Sequence, residues 1–293
     1  MPIHLILDSN VFYNLGAGTL TLSAFRAAGE ILYYSPLTVF ELAGKWSSRT
    51  FEDRRAAANA ILMSGAQELP DQDTYFTRDI FRYVLSHQPV SLADAVKAMA
   101  ASVNIESLER GVADFKERVI RKVDVTTIAG FRAAVEGQWV NDMTHIQERE
   151  IPGFEAWYRS DPSNRKQQVP RLTGAAKRKF LEMTTNPNWE ITLLINCHER
   201  ALLGASTTQP TVSNSKANAT ISAARKALSC YCALYTRYLV RLLVNGALPE
   251  ANDSGDIELF PYAIDDQHIV VTSEKKWKRM AEEAGFGQRV RLV

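Results

Sequence analysis

Apolar residues follow one pattern at the two ends of this 293-residue chain and another in its middle. Near the N-terminus a short apolar run, His4 to Leu7, ends abruptly at Asp8, Ser9 and Asn10. A second run, Ile31 to Tyr34, leads to Pro36, well placed at the first turn of a helix. A helix is expected between the two runs, over about Leu20–Ala28, with Gly29 stopping it. The C-terminal end repeats the alternation: a short helix after Ser254, a strand over Ile269–Thr272, a helix over about Lys275–Ala284 and a last strand over Arg289–Leu292. Short apolar strands alternating with helices predict a parallel sheet covered on both faces.

The middle, roughly 50–250, offers helical periodicity and no convincing strand. Apolar residues recur at three- and four-residue spacing over Glu52–Ser64, Ser91–Ser102 and Glu106–Lys122, and a long helix is expected over about Ser213–Asn245. The stretch "SDPSNRKQQVPRL", 160–172, is polar with two prolines and reads as a surface loop. The expected fold is therefore α/β. Residues 1–48 and 250–293 form a parallel-sheet core, and 49–249 form a large all-helical insertion or subdomain.

Composition narrows the setting. Apolar content of 46% and charged content of 23% are those of a globular protein able to bury a sizeable core. A net charge of +1 creates no field over the whole molecule that would favour a polyanion, so any nucleic-acid contact must come from local patches. Cys197, Cys230 and Cys232 fit neither a disulfide framework nor a zinc spacing, which suggests a reduced, cytoplasmic setting. The first residues lack the features of a secretory leader. The most apolar long segment, 228–248, carries Arg237 and Arg241 in its middle, so no membrane span is expected.

Chemistry enters where the strands end. In an open parallel sheet, ligands sit beyond the carboxyl ends of the strands. Asp8 follows the first strand directly, and Glu41 lies in the helix after the second. In "NDSGDIELF", Asp253 and Asp256 open a short helix, and "HIVVTSEKKW" carries a strand into Thr272, Ser273 and Glu274. Two like charges about 5 Å apart at an effective dielectric of ~20 repel by roughly 3 kcal/mol, so converging acids need a cation. Carboxylates without a Cys or His cluster suit Mg²⁺ or Mn²⁺. Such ions bind substrate phosphates and can activate water against a phosphodiester.

"LILDSNVFYNL" resembles the opening of a PIN-domain nuclease: an apolar strand, Asp, a small hydroxyl residue, Asn, then apolar residues. Glu41 follows in the family's order, and "NDSGDIELFPYAIDDQHIVVTSEKKW" is similar to the family's late segment, in which a helical Asp precedes a strand ending in Thr-x-Asp and then an aromatic. The resemblance covers about 45 residues at each end. It implies a PIN-like core in which Asp8, Glu41, Asp256 and Glu274 bind the metal, Asn10 orients Asp8, and Trp277 packs the final helix. It also implies a Mg²⁺- or Mn²⁺-dependent phosphodiester hydrolase, an endoribonuclease acting on RNA; cleavage of structured DNA is a less favoured variant. The helical middle could select substrate, cover the site, or bind an inhibitory protein or a second copy in a homodimer.

Other readings of the same residues stay open. Asp8 and Glu274 both stand where an acid can cap a turn or helix, Glu41 could pair with Lys45, and Asp253 could replace Asp256 as ligand. Glu274, where the family more often has Asp, and the size of the insertion favour a second class: an inactive PIN-like scaffold that binds RNA or protein. A further stretch, 156–180, interleaves Trp157 and Tyr158 with Arg159, Arg165, Lys166, Arg171, Lys177, Arg178 and Lys179. Such a mixture suits single-stranded nucleic acid, although a solvated loop with a buried Trp is the slightly better explanation.

Overall fold

The apolar runs at the two ends of the chain lie side by side. The computed structural model describes residues 2–44, 50–86, 88, 91–112, 128–160, 171–205, 214–250 and 253–293. Strands β1 (His4–Leu7), β2 (Ile31–Tyr34), β3 (Gln67–Glu68), β4 (His268–Thr272) and β5 (Val290–Leu292) form one five-stranded sheet in the order β3-β2-β1-β4-β5. Every pairing is parallel. Leu7 is in register with Tyr34 on one side and Val271 on the other, so Asp8 leaves the sheet beside Thr272.

Successive strand residues point to opposite faces, and each face has its own core. Leu5, Leu7, Ile269 and Val271 pack with one layer of helices. That layer contains α1 (Ser9–Gly16), α2 (Pro36–Gly44), α3 (Phe51–Ser64), then, after α4 (Gln72–Thr74), α5 (Ala93–Ala101) and α6 (Ile105–Gly111). Ile6, Val270 and Val290 face the other way. There they meet side chains of α7 (Ile128–Glu150), α8 (Phe154–Tyr158), α9 (Gly174–Thr185), α10 (Pro187–Gly204) and the long α11 (Asn214–Leu243). The same cluster takes in Ile257 of α12 (Asp253–Ile257) and Trp277 of α13 (Lys275–Glu283). The helical middle thus shares a hydrophobic cluster with each face of the sheet. Among the described residues no helix is long and apolar enough to cross a membrane.

Two expectations are corrected. The first helix is α1, starting directly after Asp8, and Leu20–Ala28 contains only a 3-10 turn at Leu22–Ala24. The reason is burial: Val11 and Phe12 go fully into the core beneath the sheet, whereas of the later stretch Phe25 is the buried residue. Gly29 does adopt a left-handed φ of 86°, but it ends a turn, not a helix. The second correction is β3, which pairs with Tyr33 and Tyr34 from inside the stretch expected to lack strands. Two residues are too few for an alternating pattern to be visible. The helix expected over Glu106–Lys122 is seen as α6, and 113–127 lie outside the described residues, as do 161–170 of the expected loop.

Candidate active site

The strand order reverses at β1: the chain runs outward from β1 through β2 to β3 on one side, then returns to build β4 and β5 on the other. Such a switch point opens a crevice at the carboxyl ends of the two central strands. Asp8 comes from one lip of it and Thr272 from the other. Thr272 donates from Oγ1 to Asp8 Oδ2 at 2.8 Å and accepts from the Glu274 backbone N–H at 3.1 Å. Ser9 Oγ donates to Asp8 Oδ1 at 3.2 Å, and Asn10 Nδ2 makes a longer contact with Oδ2 at 3.5 Å. Asp8 occupies the N-cap position of α1, yet its carboxylate makes no capping hydrogen bond. Glu274 stands likewise before α13 without capping it.

The remaining acids come from helices brought to the same edge, Glu41 from the second turn of α2 and Asp253 and Asp256 from the start of α12. In α12, Asp256 accepts from Trp277 Nε1 at 2.8 Å, which ties it to α13. Gly255 gives room for Glu41: a Cβ at 255 would stand 3.3 Å from Glu41 Oε1. Asp253, 1% exposed, accepts from the Tyr238 hydroxyl of α11 at 2.8 Å and from Lys276 Nζ. The Lys276 ammonium also lies 3.6 Å from Glu274 Oε2 and 4.0 Å from Asp256 Oδ2.

Burial and mutual repulsion act together on these groups. Burial raises the Asp8 carboxyl above the usual range; the Thr272 hydrogen bond opposes this, and the charge of Glu274 adds to it. Asp256 is pushed up to about 9, first by burial, then by the charges of Asp8 and Glu274 and, more weakly, Glu41; Trp277 opposes the shift. Lys276 responds in the opposite sense. Burial disfavours its charge, but the Asp253 hydrogen bond and the charges of Asp253, Asp256 and Glu274 raise it overall. The acids feel one another strongly, and a single ammonium does not cancel them.

A cleft of about 710 Å³ opens over this cluster, lined among others by Asn10, Tyr13, Glu41, Asp256 and Glu274. Asp8, 4% exposed, is not part of the lining, but its neighbours Ser9 and Asn10 are. Glu52 and Asp53, from the first turn of α3, line the cleft as well. Among the described residues no three acidic, His or Cys side chains stand close enough to make a ready-formed metal cage. The oxygen donors that line the cleft are carboxylates, hydroxyls and amides, a set suited to a hard divalent cation. Such a cation would lower the repulsion that raises Asp256.

Asp8, Glu41, Asp256 and Glu274 therefore gather at one edge, with Asn10 beside them. Lys45 lies outside the described residues. Asp265 and Asp266 are engaged at the opposite end of β4, with His268 and Arg289. Within the basic stretch, Arg159 pairs with Glu155 at 2.6 Å, Arg178 and Lys179 are exposed on α9, Lys177 is half-buried, and Arg171 is exposed. Trp157 and Tyr158 pack against Phe154. None of these residues lines the cleft, and Arg165 and Lys166 fall outside the described residues.

Lys276, Glu52 and Asp53 were not singled out by the sequence reading. The acids of α3 follow the ordinary preference of a first helical turn and carry no signal of a site. Lys276 goes against that preference, which was the available clue. No protein-family model, curated protein or solved structure gives a match to this chain.

Proposed function

We propose that the protein is a divalent-metal-dependent phosphodiester hydrolase of PIN-like type, acting on RNA as an endonuclease. The observation that carries this reading is the meeting of Asp8, Glu41, Asp256 and Glu274 at the sheet's switch point, where burial and repulsion hold Asp256 well above its ordinary range. Structural ion pairing alone gives no reason to bury so many acids on one edge beside an open cleft.

A Mg²⁺ or Mn²⁺ ion bound there would supply an activated water and stabilise the leaving oxygen of a phosphodiester. Asp8, Asp256 and Glu41 would hold it, with Glu274 at the margin. Thr272, Ser9 and Asn10 orient Asp8 through its two oxygens, and Trp277 fixes Asp256. No side chain is required as nucleophile. The preference for RNA rests on the resemblance to PIN-domain nucleases.

The test is cleavage of labelled single-stranded RNA with Mn²⁺, compared with an EDTA control and with Asp8→Asn. Cleavage by the wild type that is lost in both controls is the expected result. A second reading, an inactive scaffold for RNA or protein, is favoured by Lys276, since its ammonium already offsets part of the repulsion among three of the acids. No cleavage together with no thermal stabilisation by Mn²⁺ would establish that reading, because an ion bound by the folded state must stabilise it.

A further inference from the structure

Lys276 sits in the first turn of α13, where the helix dipole disfavours a cation. Its side chain is nevertheless only 17% exposed, folded over the Trp277 ring with Nζ 4.9 Å from the centroid. The acids explain the placement. Nζ bonds Asp253 and stands within 4.0 Å of both Asp256 and Glu274. Asp253 is fixed in turn by Tyr238 and by the Glu250 backbone N–H at 3.2 Å. The ammonium is therefore held by two acids of α12 and by Glu274 at the start of its own helix, and Tyr238 of α11 fixes one of those acids.

We propose that Lys276 occupies the place a second cation would need, so that the site takes a single divalent ion. The inference rests on the metal-dependent reading above and goes further, fixing the number of ions and naming the residue responsible. Lys276 engages one side of the cluster: Asp253, Glu274 and the Oδ2 atom of Asp256 that also accepts from Trp277. Asp8, held by Thr272, Ser9 and Asn10, and Glu41, beside Gly255, are not among the acids that the ammonium pairs with. A divalent ion bound by Asp8 and Glu41 would not have to displace it. A second ion on the Asp253–Glu274 side would have to expel Lys276 from a partly buried ion-pair network. Lys276 is thus a positioning residue: it neutralises and holds the acids, and it acts on substrate through them.

The test counts bound Mn²⁺ per chain in the wild type, Lys276→Arg and Lys276→Met. Equilibrium dialysis gives the stoichiometry, and electron paramagnetic resonance distinguishes an isolated ion from an exchange-coupled pair. The expected result is one isolated ion in the wild type and in Lys276→Arg, and a coupled pair in Lys276→Met. Two ions in the wild type would overturn the inference, as would a single ion in a folded Lys276→Met. If Lys276→Met does not fold by circular dichroism, the wild type and Lys276→Arg still decide, since a coupled pair in either overturns it. Absence of any bound Mn²⁺ in the wild type would remove the metal reading itself and this inference with it, a result distinct from a count of two.

Discussion

Asp256 shows how one carboxyl can report on the whole cluster. Its folded value of about 9 lies far above the ordinary value of 3.8 that the unfolded chain keeps. Between those values the folded protein holds a proton that the unfolded chain has released. Metal-free stability must then fall as pH rises through this window, because the folded state binds more protons than the unfolded one. Asp8 contributes in the same direction. Asp256→Asn removes the titrating group while keeping an acceptor for Trp277. Thermal denaturation at a series of pH values should therefore show a flatter decline for the variant than for the wild type across pH 4 to 9. Mn²⁺ should reverse the trend in the wild type, its affinity rising by about tenfold per pH unit where binding displaces one proton. Parallel pH curves for the two proteins would show that Asp256 is not held protonated.

The crevice itself depends on the fit of α1 against α3. Gly16 ends α1, and a Cβ there would stand 2.6 Å from the Ala56 carbonyl carbon and 2.7 Å from the Ala57 nitrogen. Both partners are backbone, so the contact cannot be relieved by a rotamer change. Gly16→Ala should push α3 away and cost about 1–3 kcal/mol, as overpacking does. Since Gly16 and Ala56 both line the cleft, the variant should also lose cleavage activity beyond what its lower stability at working temperature explains. Denaturant titration beside single-turnover cleavage separates the two effects. This helix was not legible in the sequence. Ser9 and Asn10 read as the end of a strand, and only tertiary burial of Val11 and Phe12 makes α1 the helix that follows β1. β1 and β4 were legible because a short apolar run buried on both faces has few other uses, and β2 and β5 by their alternation with helices. The four acids were legible by their position, Asp8 and Glu274 after strands, Asp256 at a helix start and Glu41 inside the helix that follows β2. Lys276 was not, because its role depends on Asp253 meeting it, held there by Tyr238 from an element that the sequence leaves well apart.

Over the whole molecule, the charge distribution poses a problem that the acids alone do not solve. A net charge of +1 gives no long-range attraction for a polyanion, and the cleft is lined by Glu41, Glu52, Asp53, Asp256 and Glu274. Among the described residues that line it, the basic one is Arg54, which directs Nη1 to the carbonyls of Glu41 and Leu42 at 2.7 and 2.8 Å. Without a metal these acids should repel phosphate, so the proposed action on RNA calls for binding energy from another surface. The exposed side chains of Arg178 and Lys179 on α9, with the half-buried Lys177, are a candidate source. Trp157 and Tyr158 pack on Phe154, so this surface should act by charge more than by stacking. Charge contacts with phosphate release counterions and leave a steep salt dependence. Binding of single-stranded RNA, followed by fluorescence anisotropy in EDTA over a range of salt, should weaken on replacing Lys177, Arg178 and Lys179 together by Gln. The slope of log affinity against log salt should become shallower by about 2, the value for three phosphate contacts on a single strand. An unchanged slope would mean that these cations are simply solvated, and that RNA reaches the acids along a different face.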